Sequence, residues 1–192
     1  MPAATRPSPA RKRATTAVAK TATAADAATG SSRVHEQFER LYERPGFLMR
    51  RAHQIASGVF EDEALASELT PAQFGTLMVI SLLPGIDQST LARALGYDKV
   101  TTLRVLRGLE ARGLLERNHC GNNRRNISLT LSASGRRLLT DARKAADRAA
   151  RRVLAPLDAA EQVQLIGLLK KLTSALEPQA RAQWVHPLRA VR

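Results

Sequence analysis

Apolar residues recur with helical spacing from Val34 onward, and turn-forming residues divide that periodicity into segments. The Pro-Gly pair at 45–46 separates a short amphipathic stretch from a longer helix that is predicted to run to about Ser67. Residues 70–73 read Thr-Pro-Ala-Gln, which combines a capping box with proline at the first helical position. A further helix is therefore predicted from this box to about Leu83.

Two shorter helices are predicted next, each preceded by an aspartate that can cap its N-terminus. Asp87 precedes a helix over 88–95, and Asp98 precedes one that ends near Gly113. Gly96 suits the left-handed exit between the two helices. Two helices joined by so short a turn are a candidate helix-turn-helix.

A β-hairpin is predicted after these helices. Residues 114–118 form the first run and residues 127–131 the second, which alternates strictly between apolar and polar, and a polar loop that contains glycine separates them. Ser132 can then cap a long helix, Pro156 interrupts it, and Asp158 begins the last helix. The predicted fold class is mainly α-helical with a small β-hairpin.

Composition narrows the class of partner. The 192 residues include 30 Lys+Arg against 17 Asp+Glu, a net charge of +13, and the apolar share of 44% is that of a globular protein. No apolar run approaches the roughly 18 residues of a membrane span, so a transmembrane protein is not expected. The excess of positive charge indicates an anionic partner, either nucleic acid or an acidic membrane surface.

The first 33 residues differ from the rest. They are rich in Ala, Thr, Ser and Pro, carry six basic residues against one acidic residue, and have no aromatic side chain. Because such a segment cannot bury a core, a disordered basic tail that holds phosphates nonspecifically is predicted. An organelle transit peptide is the alternative for an Arg-rich, acid-poor segment.

The helix after Asp98 has two distinct faces. Four residues recur with the spacing of a single helix face and are predicted to pack against the rest of the domain: Thr102, Val105, Leu106 and Leu109. The opposite face carries basic, polar and apolar side chains: Lys99, Val100, Thr101, Leu103, Arg104 and Arg107. Cations can donate to guanine edges or phosphates, and valine or leucine can contact thymine methyls. This mixture predicts a helix that reads a DNA groove, with a solvated surface as the alternative.

The loop of the hairpin adds two further cations to this region. Arg124 and Arg125 are expected to enter the minor groove, where negative potential is concentrated. Between residues 87 and 137, ten basic residues oppose four acidic ones, so the positive charge is partly local to this motif.

The sequence resembles the MarR family of winged helix-turn-helix regulators in four segments. These are 88–96 (QSTLARALG), 109–117 (LEARGLLER), 124–125 (RR) and 129–135 (LTLSASG). The family loop usually reads Asp-x-Arg, whereas Asn123 precedes the arginines here, so a neutral amide replaces the orienting carboxylate. The resemblance implies a homodimer that binds a pseudo-palindromic double-stranded DNA operator, usually as a repressor.

On this resemblance we divide the chain into five parts. They are a disordered basic tail (1–33), N-terminal dimerisation helices (34–70), a winged helix-turn-helix DNA-binding domain (71–137), C-terminal dimerisation helices (138–178) and a C-terminal extension (179–192). The last helix carries an apolar stripe that needs a covering surface. Periodicity alone does not tell whether a second copy or the same chain supplies it.

The segment 45–55 (PGFLMRRAHQI) is similar to a MarR subgroup that controls aromatic-acid degradation, including nicotinate-catabolism repressors of the NicR and BpsR type. This similarity implies a small aromatic carboxylate, such as 6-hydroxynicotinic acid, as effector. A carboxylate needs a fork donor, and a ring needs apolar walls and a hydrogen-bond partner. The candidate ligand residues are Arg50, Arg51, His53, Phe47, Phe60, Phe74 and Met78. Salt bridges for the adjacent arginines, an interface role for the histidine and core roles for the rest are the alternatives.

Other chemistries find little support in the sequence. It has no glycine-rich phosphate loop, nucleophile elbow or metal spacing among its histidines, so neither an enzyme, a metal nor a cofactor is expected. The single Cys120 cannot form an internal disulfide, which predicts a reducing compartment. The MarR resemblance implies that this compartment is the bacterial cytoplasm. Two alternatives stay open: a redox-responsive regulator that uses Cys120, and an architectural protein that coats DNA without sequence choice.

Overall fold

The computed structural model describes residues 24–119 and 127–188, and the chain divides into two compact units, Met1–Leu48 and Met49–Arg192. The helices are α1 (Ala24–Tyr42), α2 (Pro45–Glu63), α3 (Pro71–Leu82), α4 (Gln88–Leu95), α5 (Lys99–Ala111), α6 (Ala133–Leu154) and α7 (Ala159–Leu176), and the strands are β1 (Ile86–Asp87), β2 (Leu115–His119) and β3 (Ile127–Leu131). The predicted fold class, mainly helical with a small β-structure, is confirmed. Within the two described ranges, no helix combines the length and apolarity needed to cross a lipid bilayer.

The first unit holds α1 and the first turn of α2. Because α1 begins at Ala24, the prediction of a disordered tail is wrong for residues 24–33. Four of the first five residues of α1 are alanine, the strongest helix former, so the local helix propensity of this segment outweighs its tail-like composition. Further along α1, Arg40 donates to Glu36 at 2.7 Å.

The second unit is built around an apolar core that joins α3, α4, α5, the sheet and the start of α6. Its centre consists of side chains with no exposed surface: Leu77, Ile80, Leu91, Leu106, Leu109 and Leu129. Full burial stabilises the fold by about 1.5–3 kcal/mol for each such side chain. All four residues predicted for the inner face of α5 are buried, which confirms that face.

Side-chain caps fix the helix starts at the predicted residues. The Thr70 hydroxyl accepts from the Gln73 N–H, and the Gln73 side chain accepts from the Thr70 N–H, which completes the capping box of α3. Asp87 and Asp98 cap α4 and α5 through their carboxylates. Between them Gly96 has a φ of 64°, the left-handed conformation that favours glycine.

The predicted hairpin is confirmed as the antiparallel pair β2 and β3, with Arg117 opposite Leu129. The sequence did not predict β1, which pairs with the other edge of β3 and gives the strand order β1-β3-β2. A two-residue strand has no periodicity to detect. Its position follows from Gly85, whose φ of 87° turns the chain and whose N–H donates to the Leu129 carbonyl at 2.9 Å.

The connection between α2 and α3 differs from the prediction. α2 ends at Glu63 rather than near Ser67, and a 3-10 turn over Leu65–Ser67 follows. The Ser67 hydroxyl donates to a backbone carbonyl one turn back, and Glu68 has a left-handed φ of 49°, so local bonds replace the helix. Arg112, at the end of α5, donates to the Ser67 and Glu68 carbonyls at 2.8 Å each and fixes this connection.

Ser132 caps α6 as predicted: its hydroxyl accepts from the Gly135 N–H at 3.0 Å and donates to the Gly113 carbonyl at 2.7 Å. Further along, Arg148 donates to the Glu63 carboxylate of α2 at 2.8 Å. This hydrogen bond is the main cause that holds the pKa of Glu63 below its usual value. α2 and α6 are thereby linked by an ion pair.

Asp158 caps α7 as predicted and forms a capping box with Glu161. Unlike α3 to α6, α7 contains no buried residue. Its exposed apolar side chains are Val163, Leu165, Ile166, Leu168, Leu169, Leu172 and Leu176. In the described single chain, the predicted stripe of α7 is therefore not covered.

Candidate functional site

Helix α5 exposes the face that the sequence predicted to contact DNA. Val100 is 76% exposed although it is apolar, and three cations are exposed beside it. Thr101 and Leu103 are half-buried at the margin of the same face. We call this surface the reading face: Lys99, Val100, Thr101, Leu103, Arg104 and Arg107.

The Asp98 carboxylate fixes the start of the reading face. It accepts from the Thr101 N–H at 2.7 Å and from the Thr101 hydroxyl at 3.2 Å. The backbone bond from Thr101 is the main cause that lowers the pKa of Asp98, and the charge of Arg104 contributes further. Because the cap uses its hydroxyl proton, Thr101 can offer DNA only its oxygen as an acceptor.

Asp87 holds the preceding helix in the same way. Its carboxylate accepts from the Ser89 N–H at 2.8 Å and from the N–H and hydroxyl of Thr90 at 3.0 and 2.6 Å. Partial burial raises the pKa of Asp87, but the bonds from Thr90 and Ser89 outweigh it and lower that pKa to about 2. The carboxylate is therefore ionised at neutral pH and complements the positive end of the α4 dipole.

The hairpin lies beside the reading helix. Arg117 of β2 donates to the Glu110 carboxylate of α5 at 3.0 Å and so joins the two elements. Four loop residues with predicted roles lie outside the described residues: Cys120, Asn123, Arg124 and Arg125. The minor-groove and redox roles of this loop stay predictions.

A cleft of about 420 Å³ lies between α2, the start of α3 and the C-terminal half of α6. Its walls are mainly small and apolar and include Ala56, Pro71, Ala146, Ala149 and Val153. The structure brings two of the predicted ligand residues, His53 and Phe60, together here. An apolar slot with an imidazole at its edge can hold an aromatic ring that carries a polar substituent.

The predicted carboxylate donors lie elsewhere on α2. Arg50 and Arg51 are exposed and are not among the lining residues of this cleft, and Arg50 donates to Gln54 on its own helix at 3.0 Å. Phe47 belongs to the first unit, where its ring lies 5.1 Å from that of Tyr42. Ligand roles for these three residues stay predictions.

The remaining two candidates, Phe74 and Met78, are partly buried and pack against the core of the second unit. The ring of Phe74 lies 5.4 Å from that of Phe60. Phe74 also packs against the main core and therefore connects Phe60 to that core. The Met78 sulfur lies 3.2 Å from Nε of Arg143, which donates to it. Both side chains therefore contact neighbouring helices, and ligand roles for them stay predictions.

A second cleft, of about 480 Å³, shares His53 and Ser57 with the first and reaches the reading face. Its other lining residues include Glu61 of α2, Gln73 of α3 and Arg104 of α5. The sequence predicts separate sites for His53 and Arg104, because helical periodicity describes the faces of one helix and gives no information on a cleft between helices. A ligand bound near His53 would therefore lie close to a cation of the reading face.

Comparison with known proteins identifies the family of this arrangement. Residues 67–126 match the model of the MarR family. Over 128 residues the chain is 35% identical to a Thauera aromatica protein assigned as a transcriptional regulatory protein for the hcr operon. The aligned region covers 66% of this chain and 77% of the Thauera protein. The chain belongs to the MarR family. It is a transcriptional regulator, and the prediction that it is not an enzyme is confirmed.

Two further relatives resemble this MarR-family regulator. The transcriptional repressor NicR of Pseudomonas putida is 29% identical over 135 residues, which is 70% of this chain and 85% of NicR. 6-Hydroxynicotinic acid regulates the DNA binding of Bordetella bronchiseptica BpsR. The structure of BpsR is similar to that of this chain, with a TM-score of 0.64 and 30% identity, over 69% of this chain and 94% of BpsR. This likeness confirms the winged helix-turn-helix fold. Since neither identity exceeds that to the Thauera protein, the narrower NicR and BpsR resemblance stays a prediction.

The sequence assigned no role to two arginines that position the site of this MarR-family regulator. Arg112 joins the end of α5 to the connection before α3, and Arg143 of α6 donates to Met78 and Ser81 of α3. Arg112 directly follows the last residue of α5 and Arg143 lies within the amphipathic α6, and at both positions the sequence indicates only a solvated side chain. Within the described residues, no group of three or more His, Cys, Asp or Glu is placed to hold a metal ion.

Proposed function

We propose that this MarR-family regulator is a sequence-specific repressor that binds a pseudo-palindromic operator as a homodimer and is released by a small aromatic acid. The observation that carries the proposal is the reading face. It combines an exposed valine with lysine and arginines on a helix whose other face lies in the core. An exposed apolar side chain among cations is useful in a DNA groove, where thymine methyls are accessible.

Apolar surfaces in both units, each considered by itself, support a homodimer. In α7, one stripe has the spacing i, i+4, i+7 and i+11: Leu165, Leu169, Leu172 and Leu176. In α1, Phe38, Leu41 and Tyr42 are exposed as well. Contiguous apolar surface of this kind marks an interaction site, and a two-fold axis would cover the same stripe on both copies at once.

The two clefts on α2 support release by an aromatic acid. His53 borders both of them, and Arg104 of the reading face borders the second. A carboxylate held beside Arg104 would compete with DNA for its guanidinium, because a carboxylate and a phosphate or guanine edge use the same donors. BpsR, whose DNA binding responds to 6-hydroxynicotinic acid, supports the choice of an aromatic acid as effector. Because its target is chromosomal DNA, we place this function in the bacterial cytoplasm.

The first test is the affinity of the full chain for DNA, measured by fluorescence anisotropy at near-physiological salt. A duplex from upstream of its own gene is compared with a scrambled duplex of equal length. We expect a preference of about a thousandfold or more, the scale of specific recognition. Equal affinities for these duplexes and for a duplex selected from a random library would contradict sequence-specific recognition and favour an architectural DNA-binding protein.

The effector site has a separate test, the concentration of 6-hydroxynicotinic acid that releases half of the bound operator. For Arg50→Ala, Arg51→Ala and His53→Ala we expect unchanged operator affinity, because these residues lie off the reading face. At least one variant should need about tenfold more acid, the scale of a lost charge-assisted hydrogen bond. A response in the His53 variant alone would place the acid in the clefts. An unchanged response in all three would refute this site on α2.

A further inference from the structure

The segment after α7 turns back onto the DNA-binding domain. Within it the Val185 N–H donates to the Arg93 carbonyl at 2.9 Å, in the last turn of α4. The backbone N–H of Trp184 donates to the carboxylate of Glu177, the residue that directly follows α7. We call residues 180–188 the C-terminal strap, because adjacent residues in it bond to the end of α7 and to the end of α4.

The Trp184 side chain lies between these two helices. It borders a cleft of about 550 Å³ together with Thr173 and Ser174 of α7 and Leu95 of α4. Its Cβ is also close to Gly96, since a Cβ added at that glycine would meet it at 3.6 Å, an ordinary contact distance. The indole therefore fills part of the space between α7 and the turn of the helix-turn-helix.

The end of the strap reaches the sheet. Pro187 and Leu188 border a groove of about 610 Å³, whose other walls include Ile86 of β1 and Ile127 of β3. The strap thus runs from α7, past α4, to the edge of the sheet where β1 pairs with β3. Because α7 has no buried residue of its own, the strap supplies an attachment of α7 to the DNA-binding domain in addition to the chain connection through α6.

We propose that the C-terminal strap positions the DNA-binding domain relative to α7 and thereby sets the half-site spacing that the dimer accepts. This inference rests on the proposed function, because half-site spacing exists only for a dimer on two half-sites. Helix-turn-helix dimers place their reading helices about 34–36 Å apart, one turn of DNA, so a small rotation of either domain changes the spacing that fits. Trp184 and Val185 act as positioning residues through α4.

The test selects duplexes from a randomised DNA library with the full chain, Trp184→Ala, Trp184→Phe and a chain that ends at Gln179. The exposed Gln183→Ala, in the same strap, is the matched control. Sequencing reports the half-site sequence and the distribution of spacings separately. For Trp184→Ala and the shortened chain, we expect the same half-site, but the preference for the best spacing over spacings one base pair away should fall at least about threefold. Trp184→Phe and Gln183→Ala should keep the parental distribution.

The outcomes separate the strap from the proposed function. A spacing distribution in the shortened chain identical to that of the parent would overturn the role of the strap while leaving the repressor intact. Failure of the parent itself to select paired half-sites would overturn the proposed function. A merely stabilising strap would lower the unfolding temperature of the variants without changing their spacing, and that result also overturns the inference.

A second measurement, fluorescence quenching, uses only the parent chain and a short peptide, so it does not depend on the folding of a variant. Trp184 is the only tryptophan in the chain, so intrinsic fluorescence reports the strap directly. Acrylamide should quench Trp184 in the folded chain at least about twofold less than a free peptide of residues 180–188, because the protein covers about half of its surface. Equal quenching in the protein and the peptide would show that the strap is not docked and would overturn the inference.

Discussion

Two helical glycines, Gly135 at the start of α6 and Gly167 within α7, have opposite surroundings. A Cβ added at Gly135 would lie 2.0 Å from the Leu114 carbonyl oxygen, whereas nothing lies within 4 Å of one at Gly167. The same contrast holds for the regions around them, since the DNA-binding domain has a continuous core and α7 buries no residue. The packing of the first region is completed by its own chain, whereas the apolar surface of the second is not covered by the described residues.

The largest effect is expected from Gly135→Ala. The added methyl group would collide with backbone that belongs to the same core as the hairpin, so the chain would have to shift at that point. We expect the free energy of unfolding to fall by about 3 kcal/mol or more, measured by denaturant titration. The matched control is Gly167→Ala, which should raise that free energy by about 0.5–1 kcal/mol because alanine is the better helix former. Equal changes of either sign in the two variants would contradict the contrast between the regions.

The next effect tests whether α7 is covered by a second copy. Leu169→Asp puts a charge in the middle of the apolar stripe, while Gln164→Asp adds the same charge to α7 outside it. By sedimentation we expect the first variant to be monomeric at micromolar concentration and the second to be dimeric. The affinity of the monomer for a two-half-site duplex should fall by about a hundredfold, since the two domains no longer bind as one unit. A dimeric Leu169→Asp variant would assign the stripe to a different partner.

A smaller effect is expected from Arg104→Ala on the reading face. Losing a guanidinium at a base edge costs about 1–3 kcal/mol, so operator affinity should fall about 5- to 150-fold and base choice at one position should relax. Arg137→Ala removes the same charge from an exposed position on α6 and should weaken all duplexes slightly and equally. For Arg125→Ala in the hairpin loop we expect weaker binding with a smaller loss of specificity. Unchanged operator affinity of the Arg104 variant would remove this residue from the interface.

The smallest effect concerns the cap of α4. Asp87→Ala should lower the free energy of unfolding by about 1 kcal/mol at pH 7, whereas Asp87→Asn keeps an acceptor and should cost less. The folded-state pKa of Asp87 is lowered from 3.8 to about 2, so its ionised form stabilises the fold above pH 4 and this contribution is lost as the pH falls toward 2. Thermal unfolding between pH 6 and pH 3 should therefore show the difference between parent and alanine variant shrinking below pH 4. A difference that grows with acidity would contradict the assigned direction.

Local chemistry made much of the fold predictable. Caps at Thr70, Asp87, Asp98, Ser132 and Asp158 are formed between residues at most three positions apart, so a short window of sequence contains all of the atoms involved. The buried and exposed faces of α5 follow from its helical period for the same reason. Which residues of α5 lie on its outer face could therefore be predicted, while their contact with DNA stays a prediction.

Features that depend on distant parts of the chain were not predictable in this way. The shared cleft of His53 and Arg104, the bonds of Arg112 to the connection before α3 and the return of the strap to Arg93 all join residues more than forty positions apart. No periodicity within one element records such contacts. The difference between the predicted tail over 1–33 and the observed start of α1 at Ala24 has another cause. The alanines that favour this helix are local, but the composition around them is typical of disordered tails.

One residue of the fold belongs to two structures at once. Asp87 pairs with Ser128 as the last residue of β1, and it is also the residue whose carboxylate caps α4. No free linker therefore separates the sheet from the helix-turn-helix, and a tilt of the hairpin carries the first residues of α4 with it. The sheet and the helix-turn-helix are therefore coupled through one residue, and we expect a displacement of β3 to be passed on to α4, the helix that precedes α5 and its reading face.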